Sequence, residues 1–302
     1  MSKVVAFVNM KGGVGKTTVS VSMAEASAAM GKRVLFLDLD LQINASMTIV
    51  GNCDDDFTPW KKNNTIEAIL ENLWQGQGVN INNFIVDFGL AHLLSGSHSI
   101  TLFERRLLTA AQNFFQARIA TDQWIDYILA QARENYDLII CDTPPGLSLL
   151  AEAVIRKADL IVIPQAPDRM SVQGLQLYAR YLTLDLQVAD VMHRTAVFVN
   201  KRGYNSVAAH YESLIRADAG HPRFPYKVFS TFYGDSTAFK RAMDRSEIDE
   251  PGRMDFDRLW GPLADDVKAA TRELWQLLGW IDTDDRPQSS RPRPDLGASL
   301  AT

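Results

Sequence analysis

The sequence predicts an α/β fold, a doubly wound and mostly parallel β-sheet flanked by helices. Two observations predict it. Five short runs are almost purely apolar and rich in β-branched or aromatic residues, with the length and composition of strands buried on both faces. Longer segments with helical periodicity separate them, and strand–helix alternation is the pattern of a sheet covered on both sides. A chain of 302 residues, 46% hydrophobic and 22% charged, is also long enough to bury a substantial core without staples. In such sheets ligands bind outside the carboxyl ends of the strands.

The first strand is expected at residues 4–8 (VVAFV), followed by a helix from Thr17 to Met30 that Gly31 terminates as a C-cap. The runs VLFL (34–37), LIIC (138–141), LIVI (160–163) and AVFV (196–199) supply the other four strands. Helices are expected at Leu147–Ala158 and Val172–Leu186. Between Gly51 and Asn135 the pattern is less regular. Asp54–Asp56 and Lys61–Asn64 read as an exposed loop, Thr65–Leu73 as a short helix, and Ile85–Asp87 and Leu90–Leu94 as short strands; Leu102–Arg133 reads as mostly helical. Leu259, Leu263, Val267, Ala270, Leu274 and Leu277 recur at helical spacing and predict a closing amphipathic helix over Leu259–Leu278. Beyond Trp280 the chain turns polar and proline-rich. One domain over residues 1–281 and a disordered polar tail over 282–302 are expected.

Composition excludes several classes. No run of about 18 uncharged apolar residues occurs, so no transmembrane helix is expected. The first apolar run is too short for the core of a signal peptide. Two cysteines, Cys53 and Cys141, rule out a disulfide framework and point to a reducing cytoplasm. The net charge of −5 excludes a globally basic nucleic-acid binder. It does not exclude a local patch: His193–Arg245 holds nine Lys and Arg against four acidic residues, a local +5.

The segment Met10-Lys11-Gly12-Gly13-Val14-Gly15-Lys16-Thr17-Thr18 follows the first strand and opens the first helix. Glycines let backbone N–H groups curl around phosphate oxygens, and the helix start adds its positive dipole end. Lys16 is placed to reach β/γ-phosphates, and the Thr17 hydroxyl to ligate Mg²⁺. The strict G-x-x-x-x-G-K-[ST] pattern is broken at Met10, and a second lysine, Lys11, precedes the glycine pair. With KGGVGKTT the chain resembles the ParA/MinD family of deviant Walker A P-loop ATPases, of the ParA type without a DNA-binding domain ahead of the phosphate loop. RVLFLDLDLQINAS (33–46) and YDLIICDTPPG (136–146) extend that resemblance, although Leu41 stands where the family has proline.

The resemblance implies an ATPase that uses ATP and Mg²⁺. Residues 11–18, among them Gly12, Gly13, Val14, Gly15 and Thr18, would cradle the nucleotide, and Lys11 would reach a partner subunit's ATP across a sandwich homodimer. Asp38 and Asp40, two apart at a strand's carboxyl end, are expected to point the same way. By resemblance Asp40 polarises the attacking water, while Thr17, Asp38 and Asp142 serve the metal, Asp142 as the Walker B carboxylate. Thr143-Pro144-Pro145-Gly146 would sense the γ-phosphate, and Asn200 would read the adenine edge.

Within this family the expected job is a partition or positioning ATPase. Its ATP dimer would bind double-stranded DNA without sequence preference, and a ParB-like or cargo-adaptor protein would stimulate hydrolysis and release. Lys201, Arg202, Lys240, Arg241 and Arg245 are the candidate phosphate contacts, and the protein is expected in the cytoplasm on the nucleoid. The alternative is a MinD-like regulator that positions itself on a membrane without binding DNA. The proline-interrupted C-terminal sequence lacks the basic amphipathic helix that role needs, so no membrane partner is expected. An electron carrier of the nitrogenase-reductase type lacks its cluster cysteines, and a bacterial tyrosine kinase its tyrosine-rich tail.

Overall fold

The computed structural model describes residues 1–280 except 52–58, 60–62, 88, 112, 187, 189, 220–224, 247 and 249–254. Cys53, Arg223, most of the loop expected around residues 54–64 and the tail lie outside the described residues.

Eight strands form one sheet: β1 (Lys3–Phe7), β2 (Val34–Asp38), β3 (Val86–Asp87), β4 (His92–Leu94), β5 (Leu138–Asp142), β6 (Leu160–Gln165), β7 (Thr195–Arg202) and β8 (Lys227–Gly234). Their order is β3-β4-β2-β5-β1-β6-β7-β8, and every pair is parallel except β3 on β4. From β1 the chain crosses to β2, returns through β5 to β1's flank, and then winds the other way through β6 to β8. That reversal opens a crevice at the carboxyl end of β1, where the glycine-rich loop lies.

Helices α1 (Lys16–Ala29), α2 (Asn44–Val50), α9 (Thr237–Met243), α10 (Phe256–Trp260) and α11 (Ala264–Leu277) contribute to the core on one face of the sheet. Helices α3 (Ile66–Trp74), α4 (Ile100–Ala110), α5 (Phe114–Asn135), α6 (Leu149–Lys157), α7 (Arg169–Arg180) and α8 (Ser206–Asp218) contribute to the core on the other. Strand alternation divides the two: Val4, Ala6 and Val8 of the first run join the second core, and Val5 and Phe7 the first.

Two expected helices are broken, each at a readable signal. Leu102–Arg133 divides into α4 and α5, and α5 restarts at Asn113, whose side chain accepts the Gln116 N–H at 3.0 Å as an N-cap. Leu259–Leu278 is interrupted at Gly261, where φ is 49°, and at Pro262 in a short 3₁₀ turn before α11. α7 starts earlier than expected, capped by Asp168, and ends in a π turn over Tyr181–Asp185. β8 was not expected. Its Phe229 and Tyr233 point into the core two by two, the alternation of a half-exposed strand. Glu273 of α11 accepts the Ser230 and Thr231 N–H groups at 2.6 and 2.9 Å. Among the described residues no helix is long and apolar enough to cross a membrane.

Candidate nucleotide site

The loop between β1 and α1 turns on Gly13 and Gly15, with φ of 76° and 84°, a region costly for residues bearing a Cβ. At Gly15 space is denied as well, because a Cβ there would collide with the Asn200 amide. The loop is braced from below. Asn9 donates to Pro164 O at 2.6 Å and accepts the Lys11 N–H at 2.8 Å. From the end of β7, Asn200 Nδ2 donates to Val14 O at 2.7 Å and Lys201 Nζ to Gly13 O at 2.6 Å. No side chain caps the start of α1, so its first N–H groups are left to an anion.

Lys16 is buried, with Nζ 3.3 Å from Asp142 and 3.8 Å from Asp40. Thr17 Oγ1 donates to the other Asp142 oxygen at 2.7 Å. The parallel register of β2 and β5 sets Asp38 directly beside Asp142. Both are fully buried. Burial first, and the neighbouring Asp142 charge second, push the Asp38 carboxyl up to about 7. Asp142 is also raised, because burial outweighs the help of Lys16 and Thr17. Lys16 faces two buried carboxylates, Asp142 and Asp40, so the site is short of positive charge, and the oxygen donors of Thr17 and Asp142 suit a hard divalent cation such as Mg²⁺.

Asp38 and Asp40 do not point the same way. β2 ends at Asp38, so alternation no longer governs Asp40. Asp38 turns to α2, accepting the Ser46 N–H and Oγ–H at 2.9 and 2.7 Å. Asp40 lies in the following loop, accepts the Gln42 N–H at 3.0 Å and faces Lys16. Residues 143–146 are tied to the first strand and its loop: Thr143 Oγ1 donates to Phe7 O at 2.9 Å, and Gly146 N to Asn9 O at 3.1 Å.

Lys11 does not fold onto its own loop. Its Nζ lies 2.8 and 3.1 Å from the two oxygens of Asp168 and 3.3 Å from Ser171 Oγ. Beside the loop opens a cleft of about 670 Å³, lined by Gly15, Thr18, Asn44, Asn200, Lys240 and Arg245 among others. It continues from the phosphate loop to the β8–α9 wall.

The basic candidates separate. Lys240 and Arg241 stand exposed on α9. Lys201 is exposed but bonded to the phosphate loop. Arg202 pairs with Glu212 and stacks over Phe232. Arg245 corrects the expectation: it is 3% exposed, and its guanidinium takes both oxygens of buried Glu25 at 2.6 and 2.8 Å. A buried, bidentate pair presents nothing to a DNA phosphate. Sequence reasoning also missed Asn9, Ser46, Asp168 and Glu25. Of these, Asp168 had a local signal, an Asp ahead of a helical pattern with Ser171 three residues on.

A family profile described as "AAA domain" matches residues 2–189. An uncharacterized protein of Pseudomonas putida is 32% identical over 175 residues, 58% of this chain and 60% of that one, so the chain spans about three fifths of that relative's length. The chromosome-partitioning ATPase Soj of Thermus thermophilus is 26% identical over 278 residues, covering 89% of this chain and 96% of Soj. Among solved structures, an ATP complex of a Cyanothece McdA variant superposes with a TM-score of 0.68 at 15% identity over 94% of this chain and 99% of that one. The pNOB8 ParA bound to nonspecific DNA superposes at 0.62 and 18% identity over 91% and 99%. These superpositions establish the shared fold.

Proposed function

Because the chain belongs to the ParA/MinD family of deviant Walker A P-loop ATPases, we propose that it is a ParA-type partition or positioning ATPase. In this reading it dimerises around ATP, binds DNA non-specifically in that state, and lets go when a cargo-bound partner stimulates hydrolysis. The observation that carries the reading is the division of labour between two lysines. Lys16 lies buried inside its own phosphate cradle, whereas Lys11 stands outside it, held by Asp168 at an exposed edge. A monomeric site has no use for a second cation there; a facing subunit does.

Lys16 and the N–H groups of residues 12–18 would hold the phosphates. Thr17 and Asp142 would hold Mg²⁺, which when bound offsets the phosphate charge. Asp40, fixed by Gln42 and facing Lys16, would orient the attacking water. Asn200, which lines the cleft, would contact the base. Lys240 and Arg241 are the DNA contacts this reading retains, and a dimer doubles them on one surface. Soj and pNOB8 ParA, a partitioning ATPase and a DNA-bound relative by their names, support the reading.

The test combines light scattering with gel shifts. With ATP and Mg²⁺ the protein should be a dimer that retains duplex DNA of arbitrary sequence at low salt. Each neutralised phosphate should contribute roughly 0.9 to the slope of log affinity against log salt. Lys11→Ala should remain monomeric and lose DNA, whereas Arg241→Glu, outside the cleft lining, should dimerise but bind DNA more weakly. An unimpaired Lys11→Ala dimer would falsify the trans role. Binding of the ATP form to liposomes but not DNA would replace the reading with the MinD-like one.

A further inference from the structure

Glu25 and Arg245 meet across 220 residues of sequence, and nothing in the phosphate chemistry requires them. Glu25 sits in the middle of α1, the helix whose first residue is Lys16. Arg245 lies just past α9, and its Nε donates to Ala242 O at 3.0 Å, so the same side chain closes the end of that helix. Both side chains are almost fully buried, and Trp260 Nε1 donates to Glu25 Oε2 at 2.7 Å. The Arg245 guanidinium also lies 5.8 Å from the centre of the Trp260 ring. Arg245 belongs at the same time to the lining of the cleft, beside Met243, Asp244 and Lys240.

The geometry points to a positioning role: we propose that the Glu25–Arg245 pair fixes the α9 wall of the cleft, the wall against which the nucleoside part of the nucleotide rests. This deepens the nucleotide reading above and rests on it. α9 has only seven residues, and β8 beneath it pairs with β7 in a shifted register. A short helix at a sheet edge needs an anchor to hold one distance from α1. Among the described residues its anchors include Phe239 against Tyr233 and Trp260, Thr48 Oγ1 donating to Met243 O at 3.1 Å, and the ion pair. Of these only the ion pair ties α9 directly to the helix that carries the phosphate loop. A two-pronged guanidinium–carboxylate contact fixes orientation as well as distance, which a lysine point charge does not. The phosphate cradle is braced separately, from Asn9, Asn200 and Lys201. Breaking the pair therefore loosens the nucleoside's seat and leaves the phosphates' seat intact.

Calorimetric titration of the full chain with Mg·ATP and with Mg·tripolyphosphate separates the two seats. Wild type should bind ATP more tightly than tripolyphosphate. In Arg245→Lys and Glu25→Gln the ATP affinity should fall about tenfold, as for loss of a charged hydrogen-bonded contact, with tripolyphosphate affinity unchanged. The double variant Glu25→Leu with Arg245→Met replaces a buried pair by apolar chains, a change often tolerated for folding. It should keep the lowered ATP preference if either single variant fails to fold. Equal loss of both probes, unchanged ATP affinity in a folded variant, or equal wild-type affinities would overturn the inference. Wild type that binds neither probe would instead remove the nucleotide reading itself.

Discussion

At Asp38 a carboxyl group is buried beside a second buried carboxyl, and its proton affinity follows. A folded-state value near 7 lies far above the ordinary carboxylate range, so between about pH 4 and 7 the folded chain holds a proton the unfolded chain releases. The associated stability is complete below that window and lost as pH rises through 7. In buffer free of Mg²⁺ and nucleotide, the melting midpoint should fall between pH 5.5 and 8 by on the order of several degrees. Asp38→Asn should flatten that slope, and an equal slope in wild type and variant would assign it elsewhere. Lys16, Thr17 and Asp142 were legible in the sequence because a phosphate loop and a strand-end carboxylate are local patterns. The partner of Asp38 was not: Ser46 looks like any loop serine until α2 folds back. Glu25 and Arg245 were illegible for a stronger reason, since a contact across the whole chain leaves no spacing to read.

Among the elements, the five longer strands that sequence reasoning found are buried on nearly every residue, and the two short ones at one sheet margin were read from Ile85–Asp87 and Leu90–Leu94. β8 escaped because KVFSTFYG mixes buried and exposed positions, and α2 because seven residues hold too little periodicity. α7 shows what a cap can add. Asp168 accepts the Ser171 N–H at 2.8 Å and holds Lys11 with the same carboxylate. Hydrogen bonds from Lys11 and Ser171 hold its carboxyl below the usual range, against the opposing pull of partial burial. Asn at an N-cap bonds as well as Asp. Asp168→Asn should therefore keep the melting midpoint while freeing Lys11. With both side chains about two-fifths exposed, each pair is worth up to about 1 kcal/mol and a symmetric dimer frees two of them, so ATP-driven dimerisation should shift to concentrations no more than about thirtyfold lower. Sedimentation at several concentrations reads that shift; a variant dimerising less readily than wild type would show that Asp168 assists the closed state.

For the whole molecule, the sheet's two edges bear on how copies meet. At one margin stands β3, only two residues long and carrying Asp87. At the other, Glu273 accepts the N–H groups of Ser230 and Thr231 where the β7–β8 register shifts. Short, charged or covered margins are how folded chains avoid growing sheets across molecules. Glu273→Ala should expose that margin and raise light scattering on storage at millimolar protein, without altering DNA retention in freshly prepared samples. Unchanged scattering would mean that β8 is protected by its twist alone. A contact between unlike surfaces propagates into open fibres, whereas a contact between like surfaces closes after two copies. With both margins blunted among the described residues, edge-to-edge growth is disfavoured, and in the proposed dimer the faces around Lys11 would meet about a two-fold axis that ends assembly at a pair.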